Sequence, residues 1–173
     1  DIDSAGLVGE VYRTAGYGGG WYPAPDEIEI DTDLCLGPLE DGEAEYRALS
    51  DDQSICTGFA VDIPETNYLP VESWLANRLG RHLSGLRDEN PDLQLGPDGK
   101  VAVLVSEHED SWRLEGFTCS LQQKEGADDL ALHRAVRVSL EEKVASLAGN
   151  FSGLAQDVPE KIFVNGAGNF DVG

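Results

Sequence analysis

A β-hairpin centred on residues 101–121 is the feature that most constrains how this 173-residue chain can fold. Val101, Val103 and Val105 occupy alternate positions of one apolar run, a polar tip covers residues 106–110, and a second β-rich run extends to Leu121. Two β-rich runs around a short polar tip are typical of a hairpin. The neighbouring segments must therefore supply the elements that cover its apolar side chains.

A helical pattern lies on each side of this hairpin. The first helix is predicted to begin after Pro70, because a proline at a helix start lacks only an N–H that has no helical partner. The second is predicted to end at Gly149. The apolar stripes are Val71, Leu75, Leu79, Leu83 and Leu86 in the first helix, and Leu132, Val136, Leu140, Val144 and Leu147 in the second.

The start of the second helix allows two interpretations. Asp128 and Asp129 favour a start near residue 128, because acidic side chains stabilise the first turn of a helix. Ser139 with Glu142 also matches a capping box, which would begin the helix at Ser139 and make residues 134–138 a strand. The longer helix keeps the apolar stripe unbroken, and it is the interpretation we prefer.

Two further strands complete a recognisable order of elements. Residues 55–63 place Ile55, Phe59, Val61 and Ile63 on one face, and residues 161–164 form a short apolar run near the end. The order from about residue 54 to 166 is strand, helix, strand, strand, helix, strand. This predicts an α+β, ferredoxin-like βαββαβ core with four antiparallel strands and both helices on one face.

The N-terminal third is expected to be an acidic extension of that core. Up to residue 53 the chain carries 14 acidic and two basic residues, so we divide it into an extension, 1–53, and a core domain, 54–173. Residues 27–36 alternate strictly and predict one extra strand with Glu29, Asp31 and Asp33 on its outer face. Such a row could bind Ca²⁺ or a basic partner; a charged edge that blocks aggregation is the simpler interpretation.

A loop rich in glycine and proline precedes this strand. Residues 16–25 contain Tyr17, Trp21 and Tyr22, and a short helix is possible just upstream, near Val8 and Tyr12. Aromatic side chains on a loop can anchor a binding partner. They can also simply fold back and cover the edge of the core, which is the interpretation we prefer.

The net charge of −21 excludes some classes of partner. Nucleic-acid backbones and anionic lipids attract positive surfaces, so neither is expected to bind. No apolar run approaches the roughly 18 residues that a membrane-inserted helix needs. The charge is compatible with a solubilising surface, a basic partner or adaptation to high salt. The chain has no Met and begins at Asp1, which fits a processed protein.

The three cysteines are Cys35, Cys56 and Cys119. They lack the C-x-x-C spacing that is typical of zinc sites. In the predicted strands Cys35 and Cys56 both face away from the helices, which favours a Cys35–Cys56 disulfide and a buried Cys119 thiol. A bulge at Gly58 or Gly116 would move one of these cysteines to the other face of its strand and would allow a Cys56–Cys119 disulfide instead.

A search for catalytic patterns finds no nucleophile motif and no phosphate-binding glycine loop. Residues 88–99 resemble a calcium-binding loop, but Leu93 and Gly99 stand where Gly and Glu are required. The acidic residues and His108 at the hairpin tip could bind a metal, although adjacent side chains there diverge. Four helical arginines could recognise an anion or pair with nearby acids, as Arg137 with Glu141 would; they are Arg78, Arg81, Arg134 and Arg137.

These observations predict an exported, non-catalytic binding protein without a cofactor, located in the cell envelope or the medium. Its partner would be a protein, and a basic surface on that protein would complement the acidic strand; the oligomeric state is left open. Three alternatives remain: an intracellular acidic inhibitor of a basic protein, a subunit of a virion or assembly, and a small enzyme that uses carboxylates or a metal. The predicted contact residues are Tyr17, Trp21, Tyr22, Glu29, Asp31 and Asp33.

Overall fold

The computed structural model describes residues 3–31, 41–42 and 55–171. These residues form an α+β structure in which a small sheet is covered by helices. The elements in chain order are α1 (Ser4–Ala15), α2 (Val71–Ser84), α3 (Leu86–Glu89), β1 (Leu95–His108), β2 (Ser111–Gln123), α4 (Asp129–Asn150) and β3 (Ile162–Val164). Single 3₁₀ turns occur at Pro25–Glu27, Pro64–Thr66 and Pro91–Leu93.

The predicted hairpin is confirmed, and it is longer than the sequence pattern indicated. β1 and β2 pair antiparallel, with Val101 opposite Cys119 and Val103 opposite Phe117. The register shifts once near the middle, where Glu115 is the extra residue of a bulge in β2. An extra residue of this kind interrupts the alternation of side chains, so that the residues before the bulge exchange faces of the sheet relative to those after it. Leu114 is therefore buried on the same side as Phe117 although the two are three residues apart.

The third strand differs from the prediction in its direction. β3 pairs with β2 in parallel, with Thr118 opposite Phe163, and α4 makes the crossover between the two strands. Parallel neighbours need such a crossover, whereas a hairpin needs only a turn. The expectation of an all-antiparallel sheet is therefore wrong, and within the described residues the sheet has three strands in the order β1-β2-β3.

The strand predicted at residues 55–63 is also absent. The segment donates one backbone hydrogen bond, from Val61 N to Tyr68 O at 3.0 Å, and it joins no sheet. The side chains of Ile55 and Phe59 are 95% and 77% exposed, and only the end of the run, at Ile63, packs on the core. A β-forming sequence becomes a strand only when a neighbouring strand pairs with it.

Both predicted helices are confirmed, and they share one core with the hairpin. The stripes of α2 and α4 are buried together with Phe117, Cys119 and Leu121 of β2. α4 begins where the longer interpretation placed it, because the Asp128 carboxylate accepts hydrogen bonds from the N–H groups of Leu130 and Ala131, both at 2.9 Å. The capping-box alternative is wrong, since Ser139 lies buried inside the helix.

The N-terminal segment is held against the core by polar contacts. Arg87 Nη1 donates to the carbonyl of Ala15 at 3.1 Å, and Lys124 lies over the ring of Trp21, 4.0 Å from its centre.

The strand predicted at 27–36 is absent over residues 28–31, and residues 32–36 lie outside the described part of the chain. Residues 53 and 54 also lie outside it, so the division of the chain there stays a prediction.

No helix in the described ranges combines the length and the apolar character that a membrane crossing requires.

Candidate functional site

Two cavities lie on either side of the beginning of β1. The first has a volume of about 490 Å³ and lies between the end of α2 and β1, with Ala15 of α1 at its border. The second has a volume of about 360 Å³ and lies between β1 and the segment that follows β3. Asp98, Gly99 and Lys100 line both. These three residues therefore form a common wall.

Local irregularity brings the common wall to the surface. The pairing of β1 with β2 skips from Leu95 to Gly99, so the residues between them leave the regular ladder. Their backbone is held by side chains instead: the N–H of Asp98 donates to Gln122 Oε1 at 3.1 Å, and the N–H of Gly99 donates to the Asp98 carboxylate at 2.8 Å. Side-chain acceptors of this kind stabilise turns where strand partners are missing.

The opposite wall of the second cavity is formed by Ala167, Gly168, Asn169 and Phe170. A short polar network fixes this wall at both ends. The Asn165 side chain accepts from the N–H of Leu121 at 2.8 Å and donates to its carbonyl at 3.1 Å. The Asn169 amide donates to Asp129 at the start of α4 at 2.7 Å. The wall is therefore tied to both β2 and α4.

The charge around these cavities differs from that of the whole chain. Arg81, Arg87 and Lys100 line the first cavity against two acids, Asp88 and Asp98. The lining is thus slightly positive in a chain of net charge −21. Arg87 is already engaged by Ala15 and, at 3.5 Å, by Asp88. Arg81 and Lys100 are the exposed cations that an anion could approach.

Tyr17 lies near the same wall. Its ring packs against that of Tyr12, with centres 5.2 Å apart. Partial burial raises the pKa of the Tyr17 hydroxyl, and the neighbouring Asp98 and Tyr12 raise it further. Negative charge nearby disfavours the phenolate. Tyr17 therefore stays protonated at neutral pH and can donate a hydrogen bond.

None of the predicted contact residues that the structure describes lines either cavity. Tyr17 and Trp21 are half-buried, whereas Tyr22 is exposed. Glu29 and Asp31 are exposed, and Asp33 lies outside the described residues. The binding role predicted for these side chains stays a prediction.

The cysteines are only partly described. Cys119 is a free, fully buried thiol and Cys56 is exposed, so the Cys56–Cys119 alternative is wrong. Cys35 lies outside the described residues, and the Cys35–Cys56 disulfide therefore stays a prediction.

Sequence reasoning missed most of this site. The sequence patterns singled out neither residues 98–100 nor residues 167–170 as part of a binding site. Arg81 was among the arginines considered for anion recognition, and the Arg137–Glu141 pair is confirmed at 3.4 Å. One usable signal was Lys100, which follows a Gly-Pro-Asp-Gly turn in a chain with only four lysines.

No group of three or more potential metal ligands occurs among the residues that the structure describes.

Comparison with known proteins assigns a family to this arrangement. The family model described as S-adenosylmethionine synthetase, central domain, matches residues 47–170. The S-adenosylmethionine synthase of Corynebacterium kroppenstedtii is 30% identical over 152 residues, 85% of this chain and 37% of that protein. That of Corynebacterium jeikeium is 32% identical over 125 residues, 70% of this chain and 30% of that protein. The chain thus spans about a third of their length.

A solved structure shares the fold. It is that of an unusual S-adenosylmethionine synthetase from Campylobacter jejuni, with a TM-score of 0.63 and 19% identity. The match covers 98% of this chain and 44% of that one.

These matches correct the functional prediction. The interpretation as a secreted, non-catalytic binding protein is wrong, because the matching proteins are synthases. The expected protein partner with a basic surface is wrong for the same reason, and the expected extracellular location has no support. The error arose because net charge reports on solubility and association, not on chemistry. The absence of short motifs does not exclude an active site assembled from distant segments.

Proposed function

The chain belongs to the S-adenosylmethionine synthetase family, and on that premise we propose that it takes part in forming S-adenosylmethionine from ATP and methionine in the cytoplasm. The family match over residues 47–170 is the observation that carries the proposal. The chain spans about a third of its curated relatives, so the role proposed for its described residues is that of one wall of a nucleotide site.

The second cavity has the groups that a nucleotide needs. Phe170 offers an aromatic side chain against which a base can stack. Lys100 supplies a compact positive charge for a phosphate. Gly168 adopts a positive φ of 102°, and no atom lies within 4 Å of where its Cβ would be. That wall is therefore open to close approach by a ligand.

The first cavity suits the phosphate chain. When the sulfur of methionine bonds to the 5′ carbon of ATP, the bond from that carbon to oxygen breaks and the phosphate chain leaves as a polyanion. Positive side chains that face the leaving group lower the barrier to such a displacement. Arg81 lies across the first cavity from Lys100, so both can face an anion that extends from one cavity to the other.

The finer fold assignment is also part of the proposal. The described residues supply five of the six elements of a βαββαβ core in order, from α2 to β3. The proposed fold is therefore a variant of the ferredoxin-like one, in which β3 is parallel to β2 and the described residues provide no first strand. The shared fold with the Campylobacter jejuni synthetase supports this assignment.

Calorimetric titration with ATP tests the nucleotide site. Lys100→Met should weaken ATP binding at least tenfold, because a hydrogen bond to a charged group contributes roughly 1.5–3 kcal/mol. Lys143→Met is the matched control: it removes the same charge from α4, away from both cavities, and should change the affinity less than twofold. Absence of ATP binding by the unmodified chain, or equal effects of the two substitutions, would overturn the proposal.

A further inference from the structure

We propose that Gln122 is a positioning residue that sets the distance between the two walls of the second cavity. This inference rests on the proposed function, because it concerns how the same cavity is held ready for a nucleotide. Gln122 lies near the end of β2, and its side chain is 0% exposed. It therefore acts from behind the cavity and does not itself contact a ligand there.

The two ends of the Gln122 amide bind different walls. Its Oε1 accepts a hydrogen bond from the N–H of Asp98 at 3.1 Å, on the wall contributed by β1. Its Nε2 donates to the carbonyl of Asp171 at 2.9 Å, directly after Phe170 on the wall that follows β3. One rigid amide thus joins segments that are more than 70 residues apart in the chain.

Packing confines this amide to its bridging position. A Cβ placed on Gly96 would overlap Gln122 Oε1 and would lie 2.7 Å from Cε3 of Trp21. Only glycine leaves room for both side chains at this point. Trp21 is held in turn by Lys124, whose amino group lies 4.0 Å from the ring centre. The loop of residues 16–25, which contains Trp21, therefore helps to hold the bridge that the Gln122 amide forms between the two walls.

The next residue provides a comparison within the same strand. Gln123 is also 0% exposed, but its Nε2 donates to the carbonyl of Leu93 at 3.0 Å, and its Oε1 has no partner among the described residues. Its side chain bonds to neither wall of the second cavity. The two glutamines thus share burial and residue type, and they differ in what their amides connect.

The bridge has a thermodynamic consequence for binding. Without the bridge, a ligand that contacts both walls would have to fix their separation itself. The free energy spent on ordering the walls would then reduce the observed affinity. Gln122 provides the ordering before the ligand arrives. Its removal should therefore weaken nucleotide binding even though every residue that lines the cavity is still present.

The decisive experiment compares Gln122→Met with Gln123→Met. Both substitutions keep the side-chain length and remove a buried amide, so both should lower the melting temperature. Gln122→Met should weaken ATP binding in calorimetry about tenfold, and Gln123→Met less than twofold. Equal affinities for Gln122→Met and the unmodified chain would overturn the inference, and so would an equal loss in both variants.

A second variant keeps the test decisive if Gln122→Met does not fold. Gln122→Glu retains an acceptor for the Asp98 N–H and loses the donor to Asp171. Hydrogen exchange should then stay slow at the Asp98 amide. It should become at least tenfold faster at the Gly168 amide, which donates to Asn165 O at 2.8 Å, and at the Gln123 amide, which donates to Phe170 O at 2.9 Å. Unchanged exchange at those amides would contradict the bridge.

This second measurement needs no nucleotide, so it separates the two proposals. If the unmodified chain binds no ATP, the proposed function fails while the exchange data still confirm or refute the bridge.

Discussion

The thiol of Cys119 lies in the core between the sheet and the helices, and its burial raises its pKa to about 12 from an ordinary value of 9.0. Burial in an apolar environment disfavours the thiolate, which is the reactive form of cysteine. Cys119 is therefore a packing residue. Its inward direction was predicted correctly, because it alternates in phase with Phe117 and Leu121.

This pKa predicts how stability depends on pH. The thiol ionises near 9 in the unfolded chain and near 12 in the folded one, so its contribution is complete below pH 9 and is lost as pH rises towards 12. The loss is at most about 1.4 kcal/mol per pH unit. Urea unfolding between pH 8 and 11 should show a smaller decline for Cys119→Ala than for the unmodified chain; parallel curves would contradict this.

At the scale of elements, local signals predicted the helices and the hairpin well. The alternation of β-branched residues and the 3.6-residue spacing of leucines depend only on near neighbours in the chain. A bulge at Gly116 was only an alternative in the sequence analysis, because the presence and position of the observed bulge at Glu115 depend on how β2 pairs with β1. The missing strand at 55–63 has the same explanation, because its residues have strand character but no pairing neighbour in the described structure.

The cap of α4 yields an element-scale prediction. Asp128 satisfies two N–H groups of the first turn, those of Leu130 and Ala131. Asp128→Ala should lower the free energy of unfolding by about 1 kcal/mol, as is typical for removal of such a cap. Asp128→Asn keeps the accepting oxygen and should cost much less. Chemical denaturation of the three proteins measures this, and similar losses in both variants would show that the charge, not the cap, matters.

At the scale of the whole molecule, acidic residues greatly outnumber basic ones. The chain has 33 acidic and 12 basic residues, so at least 21 acids have no base to pair with. The ion pairs in the described part are exposed or partly exposed, as in Arg113 with Asp157 at 3.5 Å. Exposed pairs contribute little to stability, and the excess negative charge opposes compaction.

Salt should therefore stabilise this protein. Raising NaCl shortens the Debye length from about 30 Å at 0.01 M to about 8 Å at 0.15 M, which screens repulsion between the carboxylates. The melting temperature at pH 7 should rise over this range by several degrees. The same titration near pH 4, close to the pI of about 4.2, should show a much weaker effect. A melting temperature independent of salt at pH 7 would contradict the prediction.

The amino-acid sequence by itself predicted the features that depend on residues close together in the chain. These are the hairpin, the two long helices, the start of α4 and the inward direction of the Cys119 thiol. The candidate site could not be predicted. Its walls, Asp98–Lys100 and Ala167–Phe170, lie about 70 residues apart, and they meet because β3 pairs in parallel with β2 and Gln122 joins both walls. Pairing between distant segments depends on the free energy of the whole fold, and no local pattern of residues encodes it.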